Sequence, residues 1–466
     1  MTAVSFRKMI MKYFKIMKNL DYLIQKYNKP IPRYTSFPPV PYWHDVPSSK
    51  TWLESVFSGY MSDDGVDIYV HVPFCEKLCY YCGCNRVITR NHDHEEVFIT
   101  YLLKEWEIYL QSFKALYPES ECKINSIHFG GGTPNFLSAE NLKKVISTIC
   151  QFRTNSFFGS IEVDPRTVSF EQLDVLLSLE VKRFSFGIQD FDLDVQQAIN
   201  RLQSKEMIAQ IVQYLRSHNV ESINFDLIYG LPKQSIATVS DTFSKVVDLN
   251  PDMIAFYSYA HLPEKLKNQN LIKADELPSP TLKRELYLTG KKLLEENGYL
   301  EIGMDHFAKK DNYLVKCLED KKLRRSFMGY TDKRSNTLIA LGPTAISESD
   351  FGFFQNEKNL KEYMEKLSRG ELPGANGSTH SEMDKTIATL IQEIMCQFIL
   401  RKDLVAKLSE KFPVDLSEFV EDGLIAEESD CFYVTDLGRA FVRNLANHFD
   451  FYDATKSSKV KFSQSI

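Results

Sequence analysis

No stretch of this 466-residue chain stays apolar for the ~20 consecutive positions that a bilayer-spanning helix requires, so no membrane span is expected. A basic excess is also missing. Lys and Arg number 56 against 62 Asp and Glu, a formal net charge of −6, so the chain as a whole does not attract nucleic acid or anionic lipid. Any acidic partner must therefore be met by a local basic pocket. Low-complexity tracts are absent, and no long internal repeat stands out. The one glycine-rich loop, Gly130-Gly-Gly-Thr-Pro134, is too short for a nucleotide P-loop and lacks its lysine. The nine cysteines are not spread as a disulfide framework would be, since four fall within ten positions, and that usage fits a reducing compartment. A cytoplasmic location is expected.

Those clustered cysteines are the strongest signal present. Cys75, Cys79, Cys82 and Cys84 lie just after the short apolar run that ends at Val72, and the first three are spaced C-x3-C-x2-C. Three thiolates from one compact loop can hold three irons of a four-iron cluster, leaving the fourth iron open to an outside ligand. Structural zinc fits less well, because no later C-x2-C or H-x3-H pair completes a four-ligand site. Cys84 is too close to Cys82 to add a further iron contact and reads as a thiol supporting the ligands from behind or facing the substrate.

From Asp67 onward, short β-rich runs ending in polar or Gly residues alternate with amphipathic helical stretches. The pattern predicts strands over 67–72, 124–129, 160–163, 183–187, 222–227 and 253–259. Helices are predicted over 95–115, 138–152, 169–179, 205–217 and 236–249. Serial βα units imply a parallel sheet with right-handed crossovers, here a partial (βα)6 barrel of α/β class, with working residues at the carboxyl ends of its strands. The cysteine loop, the Gly130–Pro134 loop, Glu162, Gln189, Asp226 and Tyr259-Ala-His261 all fall there. Three consecutive glycines permit close backbone approach and expose amides to a small zwitterion, although a tight turn is the plainer reading of that loop alone.

Residues 1–50 read as an N-terminal extension and lid segment, 51–370 as the barrel, and 371–466 as a mostly helical domain whose end has a winged-helix pattern. With few clustered basic side chains, that end is read as a packing or lid element and no nucleic-acid partner is expected. Residues 1–20 carry Arg7, Lys8, Lys12, Lys15 and Lys18 before the first acid; a frayed basic helix is the plainer reading, a targeting segment the alternative.

The cysteine spacing together with the Gly-Gly-Thr-Pro loop resembles the radical S-adenosylmethionine superfamily. Within it, Cys-Gly-Cys84, Pro32-Arg-Tyr-Thr-Ser-Phe-Pro38, Gly303-Met-Asp-His-Phe307 and Gly329-Tyr-Thr331 are similar to the oxygen-independent coproporphyrinogen III oxidase family, from about Tyr22 to the C-terminus. The resemblance implies a [4Fe-4S] cluster on Cys75, Cys79 and Cys82, and two molecules of S-adenosylmethionine. Tyr69, Gly131, Glu162 and Ile346 match contacts to the molecule on the cluster. Tyr81, Gly132, Thr133, Gln189, Arg201, Asp226 and Ala260 match contacts to the second.

The activity it implies is oxidative decarboxylation of two propionates of coproporphyrinogen III to vinyl groups, giving protoporphyrinogen IX, by a 5′-deoxyadenosyl radical. An external one-electron donor and an electron acceptor are implied as partners, and a monomer is expected. Four carboxylates on the substrate facing an acidic protein require local cations, for which Arg33 and Arg166 are candidates. His71, His261 and His306 are read as core or supporting histidines. Two departures stand out, Met328 where the family commonly has Gln and Tyr81 where Phe is commoner. The alternative reading is a haem-binding or haem-delivering relative that does not decarboxylate; such relatives usually lack the Pro-Arg-Tyr-Thr-Ser opening and the Cys-x-Cys ending seen here.

Overall fold

A computed structural model describes residues 22–43, 45–60, 65–332, 335–452 and 462–465, so the basic segment 1–20 lies outside the described residues. The chain divides into two compact units. One comprises Trp43–Glu319 and Asp332–His380; the other comprises the described parts of Met1–Tyr42, Asp320–Thr331 and Ser381–Ile466.

The larger unit is built on one twelve-stranded sheet. Its strands are β1 (Val66–Val72), β2 (Ile124–Gly131), β3 (Arg153–Val163), β4 (Val181–Gln189), β5 (Ser222–Tyr229), β6 (Met253–Ser258), β7 (Tyr299–Gly303), β8 (His306–Lys309), β9 (Leu338–Leu341), β10 (Ile346–Ser349), β11 (Gly352–Asn356) and β12 (Gly374–Thr379). The order across the sheet is β12-β11-β10-β9-β1-β2-β3-β4-β5-β6-β8-β7. Strands β9 and β1 to β6 run parallel, and the outer strands on both sides are antiparallel. The order has two ends, so the barrel is open, as the alternating pattern implies.

Parallel strands covered on both faces usually read as unbroken apolar runs. These alternate. Ile68, Val70, Ile127, Phe129, Ile161, Phe184, Phe186, Phe225 and Phe256 join the main core with the helices. The positions between them carry Asp67, Tyr69, His71, Ser126, His128, Ser160, Glu162, Ser185, Asn224, Asp226 and Tyr257. These polar groups satisfy one another from strand to strand. Ser126 donates to Asp67 at 2.6 Å, Ser160 Oγ lies 2.7 Å from His128 Nδ1, and Ser185 donates to Asp226 at 3.0 Å. The period-2 pattern thus produces an apolar outside under the helices and a polar inside beneath the site.

Helices α1 (His94–Leu116), α2 (Ala139–Ile149), α3 (Phe170–Ser178), α4 (Lys205–Ser217), α5 (Ile236–Leu249) and α6 (Pro280–Glu296) connect these strands. Serine N-caps start the last five: Ser138, Ser169, Ser204, Ser235 and Ser279 each accept a backbone N–H of the first turn, and those of α3 and α5 are full capping boxes. The antiparallel outer strands were not anticipated. They are short, and β9 enters the sheet beside β1 from a remote part of the chain. The larger unit also runs ten residues past the expected limit of 370, because β12 pairs with β11.

In the smaller unit, Ser381 opens the helix α7 (Glu382–Gln397) with a capping box, at the N-cap position read from the sequence. Behind it, Ile399–Arg401, Cys431–Val434 and Ile425–Glu427 form an antiparallel sheet with a hairpin at Glu428–Asp430, agreeing with the winged-helix pattern. Buried Arg443 donates to the carbonyls of Ile31, Pro32, Ser463 and Gln464, tying segments from both ends of the chain together. Met328 lies at the tip of a hairpin formed by Arg324–Ser326 and Gly329–Thr331.

Candidate active site and cluster-binding loop

The loops after β1 to β4, with β5 and β6, enclose a cavity of about 250 Å³. The cysteine loop forms one wall. It leaves β1 through Phe74–Cys75, which pairs with Val87–Ile88 and closes the loop at its base. Its carbonyls are held from outside. Asn200 donates to Leu78 O at 2.7 Å, Asn268 to Tyr80 O at 2.8 Å and Cys82 O at 3.0 Å, and Gln269 to Tyr81 O at 3.0 Å. Side-chain amides thus do for this loop what a ladder does for a strand, and the three thiols start from fixed backbone.

The glycine loop after β2 packs directly on the cysteine segment. A Cβ on Gly132 would stand 2.7 Å from Phe74 O, closer than any side chain tolerates. Thr133 donates to Cys75 Sγ at 3.3 Å. Asn135, buried, donates to Asp164 O and Thr167 Oγ1 and accepts from Asp164 N at 2.8 Å, stapling this loop to the one after β3. At the end of β4 the register against β5 shifts between Gly187 and Gln189, and Gln189 adopts φ 66. That bulge turns Gln189 toward the cavity. Gly187 has no room for a side chain, since its Cβ would meet Arg201 Nη2 at 2.9 Å, and this leaves Arg201 free to donate twice to Gly187 O, at 2.6 and 3.0 Å.

Cys75, Cys79, Cys82, Cys84, Tyr81, Gly131, Gly132, Thr133, Glu162, Gln189, Arg201 and Asp226 all line this cavity. Tyr69 lies beside it: its hydroxyl is 3.3 Å from His71 Nδ1, and a Cβ on Gly130 would meet both Tyr69 Oη and Glu162 Oε1. His71 Nε2 lies 3.1 Å from Asn85 O, so that nitrogen carries the proton and Nδ1 accepts from Tyr69. Ala260 and Ile346 do not line the cavity. Ala260 O accepts from Gln269, and Ile346 opens β10. Arg33 belongs to the smaller unit.

Asp164, Ser185, Tyr257, Lys77 and Arg86 line the cavity without having been singled out from the sequence. Asp164 sits two residues past Glu162, and the strand-end position was the available signal. Tyr257 has its hydroxyl 3.4 Å from His306 Nε2, which links the cavity to the Gly303–Phe307 motif in the turn between β7 and β8.

Charge in the cavity works in two directions. Burial alone would raise the Asp164 carboxyl, but Arg201 and Arg166 reverse that and hold it at about 2. Arg166 donates to Asp164 at 2.9 and 2.6 Å, so this guanidinium is already committed to a carboxylate, contrary to its expected role toward a propionate. Arg166 and Arg201 also reach Cys79 Sγ, at 3.7 and 3.5 Å, and place positive charge where a thiolate is needed. The thiol of Cys84 donates to Cys82 and, with Arg86 nearby, brings Cys82 down to about 6. Elsewhere in the lining, burial first and then the charge of Glu162 push Asp226 up to about 7.

The residues fit an iron–sulfur cluster. Three thiols line one space flanked by cationic donors, yet among the described residues no three Cys, His, Asp or Glu side chains are set to hold a single metal ion. They surround a volume, as ligands of several irons must.

An open parallel barrel with three loop thiols over a polar interior defines a radical S-adenosylmethionine protein, and the sequence profile of the Radical SAM superfamily matches residues 69–246. Whole-chain similarity narrows this further. The oxygen-independent coproporphyrinogen III oxidase of Pseudomonas aeruginosa is 36% identical over 460 residues, covering 95% of this chain and 98% of its own. That of a Synechocystis strain is 35% identical over 459 residues, covering 95% and 97%. The solved structure of the Escherichia coli coproporphyrinogen III oxidase, a radical SAM enzyme, superposes with a TM-score of 0.84 at 31% identity, covering 91% of this chain and all of that one. The chain belongs to the oxygen-independent coproporphyrinogen III oxidase family, whose cofactors are a [4Fe-4S] cluster and S-adenosylmethionine.

Proposed function

We propose that this protein decarboxylates two propionate side chains of coproporphyrinogen III to vinyl groups, giving protoporphyrinogen IX in haem biosynthesis. The observation that carries this is the convergence of three loop thiols, the glycine loop and the strand-end acids on one cavity, in a chain whose full-length relatives bear the name of that activity. Cys75, Cys79 and Cys82 hold the cluster. Tyr69, Gly131, Glu162 and Ile346 contact the S-adenosylmethionine on it, and Tyr81, Gly132, Thr133, Gln189, Arg201, Asp226 and Ala260 hold a second molecule. Bound together, these groups supply a 5′-deoxyadenosyl radical as the hydrogen-abstracting agent.

The chain's own part is binding and orientation. Gly132 lets the glycine loop lie against the cysteine segment, and Thr133 ties the two through Cys75. Asp164 pairs with Arg166 and faces Arg201, offsetting part of their charge while both cations reach the Cys79 sulfur. Asp226, protonated up to about pH 7 and aimed by Ser185 and Asn224, can donate as well as accept a hydrogen bond. Cys84, which lines the cavity, is read as a thiol on the substrate side, and Arg33 as a carboxylate partner whose replacement by Ala raises KM for the substrate. An external one-electron donor, an electron acceptor, a cytoplasmic setting and a monomeric state complete the reading. Among the described residues no helix is long and apolar enough to cross a membrane.

The test is an anaerobic assay of cluster-loaded protein with S-adenosylmethionine, a reductant, an electron acceptor and coproporphyrinogen III, following tetrapyrroles and 5′-deoxyadenosine by chromatography. Vinyl products that vanish in Cys79→Ala are the expected result. Deoxyadenosine formed without any change in the tetrapyrrole would reject this substrate and direct attention to haem binding.

A further inference from the structure

Four cations and three acids line the cavity: Lys77, Arg86, Arg166 and Arg201 against Glu162, Asp164 and Asp226. Two of the cations are spent. Asp164 lies 2.6 Å from Arg166 and 3.6 Å from Arg201, and Arg201 is further committed to Gly187 O. Lys77 and Arg86 are different. Both sit on the cysteine loop, and among the described residues neither is paired with a carboxylate. Arg86 donates through Nη1 to Cys84 O at 2.7 Å, which fixes the plane of its guanidinium, while its Nε is buried with no partner. A buried donor left unmade is costly, so such a group marks a place where an acceptor belongs. With Nη1 taken and Nε covered, Nη2 is the donor left for a carboxylate in the cavity, and a small shift of the side chain brings Nε beside it to complete a two-bond grip.

We propose that Arg86, assisted by Lys77, is the carboxylate-binding site of the cavity and seats a propionate of the substrate, an inference that rests on the coproporphyrinogen reading above. The rest of the cavity leaves a carboxylate few alternatives. Glu162 lines the cavity and repels a second anion, Arg166 is paired with Asp164, and Arg201 faces that same carboxylate while being held by Gly187 O. Lys77 is exposed beside the cavity, so an incoming tetra-anion meets it without desolvation, whereas Arg86 is half-buried and selects geometry. Both lie on the loop whose carbonyls from Leu78 to Cys82 are clamped by Asn200, Asn268 and Gln269, so the backbone that carries them is set before any ligand arrives. Holding one carboxylate on the loop that carries the cluster ligands fixes the distance between the substrate and the reacting centre.

The test is fluorescence titration of cluster-loaded protein with coproporphyrin III, the oxidised tetracarboxylate, and with its tetramethyl ester. Arg86→Gln is expected to weaken coproporphyrin III by about tenfold and to flatten the salt dependence of binding. Arg86→Lys recovers part of that loss, and Lys77→Met shows a smaller one. Ester binding is unchanged throughout, as is the effect of S-adenosylmethionine on the electron paramagnetic resonance spectrum of the reduced cluster. Wild-type affinity for coproporphyrin III in both Arg86→Gln and Lys77→Met overturns the proposal, and so does an equal loss for acid and ester. If wild-type protein binds the acid no better than the ester, the substrate reading itself falls, and the site with it.

Discussion

Asp164 and Asp226 share one cavity and are driven in opposite directions. Two guanidiniums keep the first ionised; burial beside Glu162 keeps the second protonated to about pH 7. The consequence for stability has a definite sign. The folded-state value for Asp226 lies above that of an unfolded Asp, so its contribution is fully present below about pH 4 and is lost as pH rises to about 7. Asp226→Asn removes that loss. Thermal unfolding of the two proteins is expected to coincide near pH 4 and to diverge by pH 8, with the variant melting higher; a gap independent of pH would contradict the assignment. At this scale the sequence was informative wherever a residue belongs to a motif or ends a strand, as with Cys79 and Glu162. It could not say which cations are neutralised. Arg166 and Arg86 look alike in sequence, and only Asp164 separates a committed guanidinium from an available one.

Among the elements, the contact between the glycine loop and the cysteine segment decides whether a site forms. Because a Cβ on Gly132 would stand 2.7 Å from Phe74 O and 3.0 Å from the carbonyl of Pro73, Gly132→Ala must push two backbone segments apart. Iron and sulfide content is expected to drop, and calorimetric affinity for S-adenosylmethionine to fall by about tenfold or more. Retention of both would show that the loop has slack. The six βα units were legible because strand alternation and serine caps repeat along the chain, and the helices 205–217 and 236–249 coincide with Lys205–Ser217 and Ile236–Leu249. The antiparallel arms were not, since strands as short as Ile346–Ser349 carry too little period to read.

For the molecule as a whole, one buried side chain of the smaller unit, Arg443, gathers segments distant in sequence, alongside bonds such as Asn444 to Tyr27 O. Arg443 serves carbonyls from Ile31 to Gln464, and removing it leaves the buried carbonyls of Ile31 and Pro32 without this donor. Arg443→Met is expected to cost about 3 kcal/mol and to expose residues 462–465 to carboxypeptidase, read by calorimetry and mass spectrometry. The larger unit carries a comparable long-range dependence, with a different outcome. Strand β1, which leads into the cysteine loop, is flanked on one side by β9, encoded some 270 positions later. At ~5–20 residues per second, a ribosome needs roughly 15–50 s to deliver that neighbour. Through that interval the three cluster thiols sit beside a strand that lacks one of its neighbours. A cluster loaded during that interval would meet a sheet still lacking β9 beside β1.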